Sequence, residues 1–261
     1  PPGGGLSLGK IVVETPASRV TGELALPPRY RDLTATYTLS IPDAAVLSPA
    51  LGLAVAGRAE ITGTADGRAN DPTLAGQLTM SASRVEGLDL GRLDATFRVA
   101  DVSGVPRGRV DGTASAPVED LQGGADFTVD QGEIRLSALS LRSQGTTATG
   151  ALTIPLDGAP ISGTATVEAG NLTQWLARAG LDGAGAARGT VRLFASGTRQ
   201  GGDVTAKVTA PSWRPGDGAA VTAVAAEVTA RSDDLIGAGA GRLMAEATDV
   251  RFAELRLASL S

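Results

Sequence analysis

The sequence predicts a mainly β protein built as an elongated antiparallel sheet, with helix confined to two short segments. Three observations point to this fold class. Apolar and polar residues alternate in short runs bounded by Gly, Asn, Asp and Pro, which is the pattern of half-buried strands. The chain contains 35 Gly and 14 Pro but only two Trp, two Tyr and four Phe, so a core made of Ala, Val and Leu would be shallow. One stretch also recurs later in the chain, as expected of a repetitive, elongated architecture.

The individual strands are predicted from the alternating runs. The clearest run is Asp32–Ile41, in which Leu, Ala, Tyr and Ile alternate with Thr and Ser, so one face of this strand is wet. Turns are expected at Asp130-Gln131-Gly132 and at Gln144-Gly145, and longer loops at Gly67–Pro72 and Gly197–Gly202. The predicted strands are Leu6–Glu14, Val20–Leu26, Asp32–Ile41, Gly57–Ala65, Leu74–Ala82, Leu88–Val99, Gly108–Ser115, Gly123–Val129, Glu133–Leu136, Ala138–Ser143, Thr147–Ile154, Ile161–Glu168, Gly189–Ala195, Val204–Ala210, Ala223–Ala230 and the strand pattern of Gly241–Leu260.

The recurring stretch runs from Pro42 to Val99 and reappears from Asn171 onward, about 130 residues later. Each copy begins with an apolar segment that is expected to form one or two helical turns, Ala44–Leu53 in the first and Leu172–Leu181 in the second. A Gly-led strand, a Gly turn and further strands follow in both copies. The chain is therefore expected to comprise leading strands (residues 1–41), a first repeat (42–168) and a second repeat that is truncated at its C-terminal end (169–261).

Catalytic chemistry has little support in this composition. The chain has neither His nor Cys, which removes the commonest general base, the thiol nucleophile and the strongest transition-metal ligands. Lys10 and Lys207 fall in strand-like alternation, and Asp233-Asp234 is expected in a surface turn. The glycine-rich run Gly237–Arg242 lacks the Gly-Lys-Ser/Thr ending of a phosphate-binding loop. We expect no enzymatic activity, no cofactor and no metal.

Charge and hydropathy exclude further classes of protein. The net charge is -5, from 28 acidic and 23 basic residues, and no basic patch interleaved with aromatics suggests a nucleic-acid partner. No apolar run approaches the roughly 20 residues of a membrane-spanning helix, and no signal-peptide pattern is present. The chain opens on Pro1–Gly5 without Met, so it is interpreted as a segment whose targeting signals lie outside it.

The strands repeat aliphatic and aromatic residues on one face. This face has two interpretations: the core of an ordinary sandwich, or a long apolar trough that accommodates an acyl chain. A strand of seven residues is about 23 Å long, and each methylene group removed from water contributes about 0.8 kcal/mol. The candidate lining residues are Leu33, Tyr37, Leu39, Leu78, Met80, Phe97, Val99, Phe127, Val129, Leu152, Ile154, Val191, Leu193, Val208 and Val228.

The two copies resemble the repeats of the TamB and AsmA-like family of bacterial envelope proteins. Those repeats have a short Leu-rich helix, then L-x-x-x-G-x, a Gly turn with Pro, and G-x-L-x-x-x. The pattern covers most of the chain. The matching residues are Leu47, Leu51, Gly57, Gly67, Pro72, Leu74, Gly76, Leu78, Leu90, Leu93, Ala95 and Val99 in the first copy, and Leu172, Leu176, Leu181, Gly189, Gly197, Val204, Val208, Val224, Ala226 and Ala230 in the second.

The resemblance implies a sheet folded into a taco-like groove with an apolar interior, located in the periplasm and anchored in the inner membrane by a segment outside this sequence. The implied function is non-enzymatic carriage of phospholipid acyl chains between the inner and outer membranes. The implied partners are phospholipid, the membrane at the anchor, and an outer-membrane barrel protein contacted through regions outside this sequence. Two other functions stay open: a periplasmic chaperone-like groove for assembly or secretion of outer-membrane barrel proteins, and a β-rich segment of a surface adhesin or passenger.

Overall fold

A computed structural model describes residues 5–15, 18–27, 32–51, 54–85, 88–116, 121–178, 182–214, 221–223, 225–235, 241–252 and 255–260. Strands account for 78% of these residues, so the predicted mainly β class is confirmed. The chain forms two compact units, of which unit 1 comprises residues 1–144 and 153–158, and unit 2 comprises residues 145–152 and 159–261.

Unit 1 is an open meander in which each strand pairs antiparallel with the next one along the chain. This order follows from the short connections, because antiparallel neighbours need only a tight turn between them. Its strands are β1 (Leu6–Glu14), β2 (Arg19–Leu26), β3 (Asp32–Ile41), β4 (Val55–Arg68), β5 (Asp71–Val85), β6 (Leu88–Ala100), β7 (Arg107–Ala114), β8 (Leu121–Asp130) and β9 (Glu133–Ser143).

The next strand, β10 (Thr146–Pro155), contributes residues to both units. Unit 2 continues with β11 (Ser162–Ala169), β12 (Asp182–Ser196), β13 (Arg199–Arg214), β14 (Val221–Thr222), β15 (Ala225–Ser232), β16 (Gly241–Phe252) and β17 (Leu255–Leu260). The strand pairs of this unit are also antiparallel. Both β14 and β15 pair with β13 on one side and β16 on the other, so these two short strands together occupy one position in the sheet.

The turns explain why several strands are longer than predicted. The predicted loop Gly67–Pro72 is wrong, because Gly67 pairs with Pro72 and only Ala69 and Asn70 form the turn. Gly197–Gly202 is likewise not a loop, since β13 already begins at Arg199. At the β8–β9 hairpin the predicted turn is confirmed: Gln131 and Gly132 have φ of 50° and 78°, as a two-residue turn with two left-handed positions requires.

Bulges account for a second difference from the sequence prediction. The predicted break between Glu133–Leu136 and Ala138–Ser143 is wrong, because β9 is continuous there. Ala138 adopts a φ of 48° where the β8–β9 register shifts, so it is a bulged residue inside one strand. Gly57 (φ 124°) and Ala82 (φ 51°) mark register shifts in the same way in β4 and β5. Bulges bend and twist the strands that carry them.

The two segments predicted to be helical contain no more than one or two helical turns each. In the first, a 3-10 turn at Ala44–Leu47 continues into α1 (Ser48–Leu51), and Asp43 Oδ1 accepts a hydrogen bond of 3.0 Å from the N–H of Ala45. In the second, α2 spans Thr173–Arg178, and Asn171 caps it in the same manner. Residues 52–53 and 179–181 of the predicted segments lie outside the described residues. Helices this short are marginal by themselves.

The buried core described in unit 1 is small. It consists of Ile41, Ala44, Val55, Ala59 and Met80, with Leu39, Leu47, Leu78 and Leu93 packed against it. This cluster lies where the 3-10 turn folds against β3–β5. Most other apolar residues of the unit are only half-buried. The open sheet therefore differs from the closed sandwich that the composition also allowed.

Candidate functional site

The register of unit 1 sorts its side chains into two faces, because cross-strand partners project to the same side of a sheet. For example, Leu39 opposes Ile61, Ile61 opposes Leu78, and Leu78 opposes Ala95. The rows on either side of this one are equally apolar. Between β3 and β9 they define the apolar face of unit 1: Leu33, Ala35, Tyr37, Leu39, Ile41, Ala59, Ile61, Gly63, Ala65, Gly67, Pro72, Leu74, Gly76, Leu78, Met80, Leu93, Ala95, Phe97, Val99, Gly108, Val110, Gly112, Ala114, Leu121, Gly123, Ala125, Phe127, Val129, Ile134, Leu136 and Leu141.

No carboxylate, ammonium, guanidinium or amide side chain interrupts this set of residues. Its one hydroxyl belongs to Tyr37 and lies 3.5 Å from the carbonyl oxygen of Ala75. Burial raises the pKa of Tyr37 above its ordinary value, because the charged phenolate would lose solvation there. Beyond the bulge at the end of β5, Ser83 is fully buried and donates a hydrogen bond of 2.9 Å to the carbonyl of Gly91. The face is therefore chemically uniform.

Aromatic side chains on this face reach over glycines of the neighbouring strand. A Cβ atom added to Gly76 would lie 2.8 Å from Cζ of Phe97, and one added to Gly108 would lie 3.0 Å from Cζ of Phe127. The Tyr37 ring covers Gly63 in the same way, with its hydroxyl 2.6 Å from the added atom. Each ring therefore occupies the space that a side chain on its partner would take. This pairing covers the glycine backbone and keeps the face shallow.

The apolar face of unit 1 is incompletely covered. Ile41 and Met80 are 3% and 6% exposed beneath the helical turn, whereas Tyr37, Leu78, Phe97 and most other members are half-buried. Some large apolar side chains of the unit are more open still, namely Leu6, Leu8 and Leu141. Contiguous exposed apolar surface of this kind marks a site of interaction with another apolar body.

The opposite, polar face of unit 1 carries Thr, Gln and alternating charges. Arg92 binds Asp94 at 2.6 Å, and Arg109 binds both Asp111 at 2.7 Å and Asp126 at 3.1 Å. The hydrogen bond from Arg92 holds the pKa of Asp94 below its usual range, and the bonds to its carboxylate partners raise the pKa of Arg109. These exposed ion pairs contribute little to stability. They do show that this face is polar and suited to contact with solvent.

Unit 2 has an apolar face of the same kind. Val191 opposes Val204, Val204 opposes Ala230, and Val208 opposes both Ala187 and Ala226. The other face carries Arg188, Arg192, Lys207 and Glu227, together with Phe194, whose ring lies 4.9 Å from the guanidinium carbon of Arg231. The polar face of unit 2 therefore carries an aromatic ring at Phe194.

The candidate lining residues fall on these faces by register. Nine lie on the apolar face of unit 1, and four on that of unit 2: Leu33, Tyr37, Leu39, Leu78, Met80, Phe97, Val99, Phe127 and Val129, then Val191, Leu193, Val208 and Val228. Leu152 and Ile154 are half-buried on β10, and Leu152 Cδ2 would lie 2.9 Å from a Cβ atom on Gly163. The side chains of Trp175 and Trp213 lie outside the described residues.

Sequence reasoning selected nine residues of the apolar face of unit 1 and missed the others. Leu93, Val110, Leu121, Leu136 and Leu141 join it, although they show the same alternation as the residues that were selected. The signal was available in the sequence. On β9 the bulge at Ala138 shifts the alternation by one residue, so Leu136 and Leu141 lie on the same face although an odd number of positions separates them.

Residues considered for catalysis or metal binding occupy structural positions. Lys10 is a bulged residue with a φ of 52°, and Asp233 contacts Arg231 at 3.5 Å. No group of three or more Asp or Glu side chains within the described ranges is arranged to hold a metal ion. Residues 237–240 of the glycine-rich run lie outside the described residues. No helix in the described part of the chain is long and apolar enough to cross a bilayer.

Comparison of the chain with models of protein families, with curated proteins and with solved structures finds no match.

Proposed function

We propose that this chain is a lipid-carrying segment of a bacterial envelope protein, and that its apolar faces hold phospholipid acyl chains in transit between the inner and outer membranes. The observation that carries the proposal is the apolar face of unit 1, which continues from β3 to β9 without a charged or amide side chain. The resemblance to TamB and AsmA-like repeats supports the same function and a periplasmic location.

The dimensions of the apolar face suit a hydrocarbon chain. From Leu33 to Ile41 the strand β3 extends for about 27 Å, at about 3.3 Å per residue. Each leaflet of a bilayer contributes about 15 Å to a hydrocarbon core of about 30 Å, so an acyl chain fits within the width of the face. Each methylene group transferred from water to such a surface contributes up to about 0.8 kcal/mol. Contact on one side only gives a fraction of that value, which favours reversible binding.

The uniformity of the face suits a carrier better than a selective binding site. Selective small-molecule sites combine apolar walls with a few precisely placed polar groups, and the apolar face of unit 1 offers only the Tyr37 hydroxyl, 3.5 Å from the carbonyl oxygen of Ala75. A surface of Ala, Val, Leu and Gly binds acyl chains of different lengths with similar free energy per methylene. In the proposed arrangement an anchor and a barrel partner, both outside this sequence, would link the segment to the two membranes.

The test is mass spectrometry of an organic extract of the chain purified after expression in the bacterial envelope. We expect phospholipid at a reproducible molar ratio, and loss of that lipid in Phe97→Arg, which places a cation in the middle of the apolar face. The matched control is Thr96→Arg, because Thr96 is exposed on the polar face one residue away. An extract without lipid, or equal loss in both variants, would contradict the proposal. Recovery of outer-membrane barrel segments in place of lipid would favour the chaperone function.

A further inference from the structure

The apolar face of unit 1 contains a depression over strands β6 to β9. The volume of this depression is about 260 Å³. The floor contains Gly112 and Gly123, which oppose each other across β7 and β8, and beside them Ala114 and Ala125, only 8% and 3% exposed. Larger residues surround this floor: Leu93, Val110, Leu121, Leu136, Leu139 and Leu141.

The two floor glycines are fixed by close packing. A Cβ atom on Gly112 would lie 2.8 Å from the carbonyl oxygen of Asp94 and 3.0 Å from Cβ of Ala95, so a side chain there requires the backbone to move. A Cβ atom on Gly123 would lie 2.6 Å from Cδ2 of Leu141, which shows that Leu141 leans over this glycine. Leu141 is itself 38% exposed. The floor therefore consists of glycine backbone between larger side chains, and Leu141 forms an exposed wall beside it.

We infer that this depression is a discrete binding site for one hydrocarbon chain, which we call the seat. The apolar face then holds lipid at one defined position instead of along its whole length. This inference rests on the proposed lipid function and adds to it the position and the stoichiometry of binding. None of the six wall residues belongs to the candidate lining residues that sequence alone selected.

Hydrogen bonding favours a hydrocarbon occupant over an extended peptide. The backbone groups of β7 and β8 are committed to the sheet ladder. Of the residues that line the depression, Thr113 alone has a side-chain hydroxyl, and by register it belongs to the polar face, opposite Asp94 and Gln122. A peptide strand laid across this floor would leave its own N–H and C=O groups unpaired against apolar surface, which is costly. A hydrocarbon chain has no such groups to satisfy.

The volume of the depression also fits part of a single acyl chain. An enclosed apolar cavity of about 150 Å³ is large enough for benzene, and drug-sized ligands occupy pockets of about 300–1,000 Å³. The value of about 260 Å³ lies between these cases. A segment of one chain therefore fits, with the remainder of the lipid lying on the adjoining rows.

Unit 2 repeats the construction independently. It has a depression of about 450 Å³ whose floor includes the buried Gly202. Leu235 leans over this glycine, with Cδ1 2.8 Å from the position of an added Cβ atom. The other apolar members of its lining are Val191, Leu193, Val204 and Ala230. Three charged residues that belong to the polar face by register also line it, namely Asp203, Arg231 and Arg242. Each unit is thus expected to hold its own chain.

The experiment is photo-crosslinking of the full chain with a palmitate that carries a diazirine near its methyl end, followed by peptide mapping. We expect crosslinks in unit 1 to concentrate on peptides that contain Leu93, Leu121 and Leu141. Val110→Trp adds an indole ring to the lining of the depression, and we expect at least a tenfold loss of these crosslinks. Thr96→Trp is the matched control, because it adds the same ring to the polar face, and its crosslinks should be unchanged. Urea-unfolding midpoints of both variants verify that they fold.

The outcomes separate this inference from the function on which it rests. Crosslinks spread evenly over β2–β9, or clustered crosslinks that persist in a folded Val110→Trp variant, would overturn the seat while leaving lipid binding intact. Absence of crosslinks anywhere on the chain would overturn both. Clustered crosslinks that disappear only in Val110→Trp would establish the seat.

Discussion

A charge placed in the middle of the apolar face separates lipid binding from folding. Leu78 lies in the row between Ile61 and Ala95, and it is half-buried. Leu78→Asp therefore loses about half of the 1.5–3 kcal/mol that full burial of a leucine contributes, or roughly 0.75–1.5 kcal/mol. Domains of this kind unfold with about 5–15 kcal/mol, so the variant should still fold.

The effect on binding should be much larger than the effect on folding. In the free protein the carboxylate introduced by Leu78→Asp would keep part of its hydration, because position 78 lies at the edge of the core and is only half-buried. An acyl chain lying over it would remove that water, and a charge held against hydrocarbon costs about 2.5–3.5 kcal/mol on the membrane-insertion scale. Since about 1.4 kcal/mol is a tenfold change in an equilibrium constant, palmitate affinity should fall by roughly 100-fold.

Isothermal titration with palmitate, paired with urea unfolding, measures both effects. Gln77→Asp is the matched control, because it adds the same carboxylate to the neighbouring residue on the exposed polar face. Leu78→Asn separates polarity from charge and should weaken binding by a smaller factor. Equal losses of affinity in Gln77→Asp and Leu78→Asp, or a Leu78→Asp variant that binds palmitate as tightly as the unchanged protein, would contradict binding of the acyl chain on the apolar face.

Three further predictions concern stability and titration. Ser83→Ala removes the donor to the Gly91 carbonyl at a fully buried position and should lower the free energy of unfolding by about 1–3 kcal/mol; a change below about 0.5 kcal/mol in urea would contradict the assigned bond. Because Arg92 lowers the pKa of Asp94 in the folded chain, stability from this pair is present above the unfolded pKa and lost as pH falls through the folded value, so Asp94→Asn should flatten the acid limb of the unfolding curve. Burial raises the pKa of Tyr37, so its contribution is complete below the unfolded pKa and lost as pH rises through the folded one; a spectrophotometric titration should contain a late-titrating tyrosine that is absent in Tyr37→Phe.

The antiparallel strands were predictable because their signal is local. Alternation with a period of two residues requires only the strand's own sequence, and β1 and β3 begin and end where the runs Leu6–Glu14 and Asp32–Ile41 do. The turn at Gln131-Gly132 was predictable for the same reason, since Gly tolerates a positive φ. Strand ends at Gly67–Pro72 were missed because turn residues also occur inside strands when the ladder pairs them.

The candidate site was only partly predictable, because membership of a face depends on register. The alternation of Phe97 and Val99 assigns them to one face of β6, but it does not say which residues of β7 and β8 lie beside them. That is decided by the strand pairing, which places Phe97 opposite Val110 and Val110 opposite Ala125. On β9 it is decided by the bulge at Ala138, where a residue with a side chain adopts a φ of 48°. Such a residue has no reliable signature in the sequence.

The sequence by itself determined the fold class, the two-faced character of the strands and the chemistry of the apolar residues, because each follows from residue identity and a period of two. Only the tertiary structure decided that the sheets are open, that aromatic rings lie across glycines, and that Gly112 and Gly123 meet to form the floor of a depression. These features depend on which residues of separate strands become neighbours. The strand register decides which residues become neighbours. That register depends on each turn length and each bulge along the sheet.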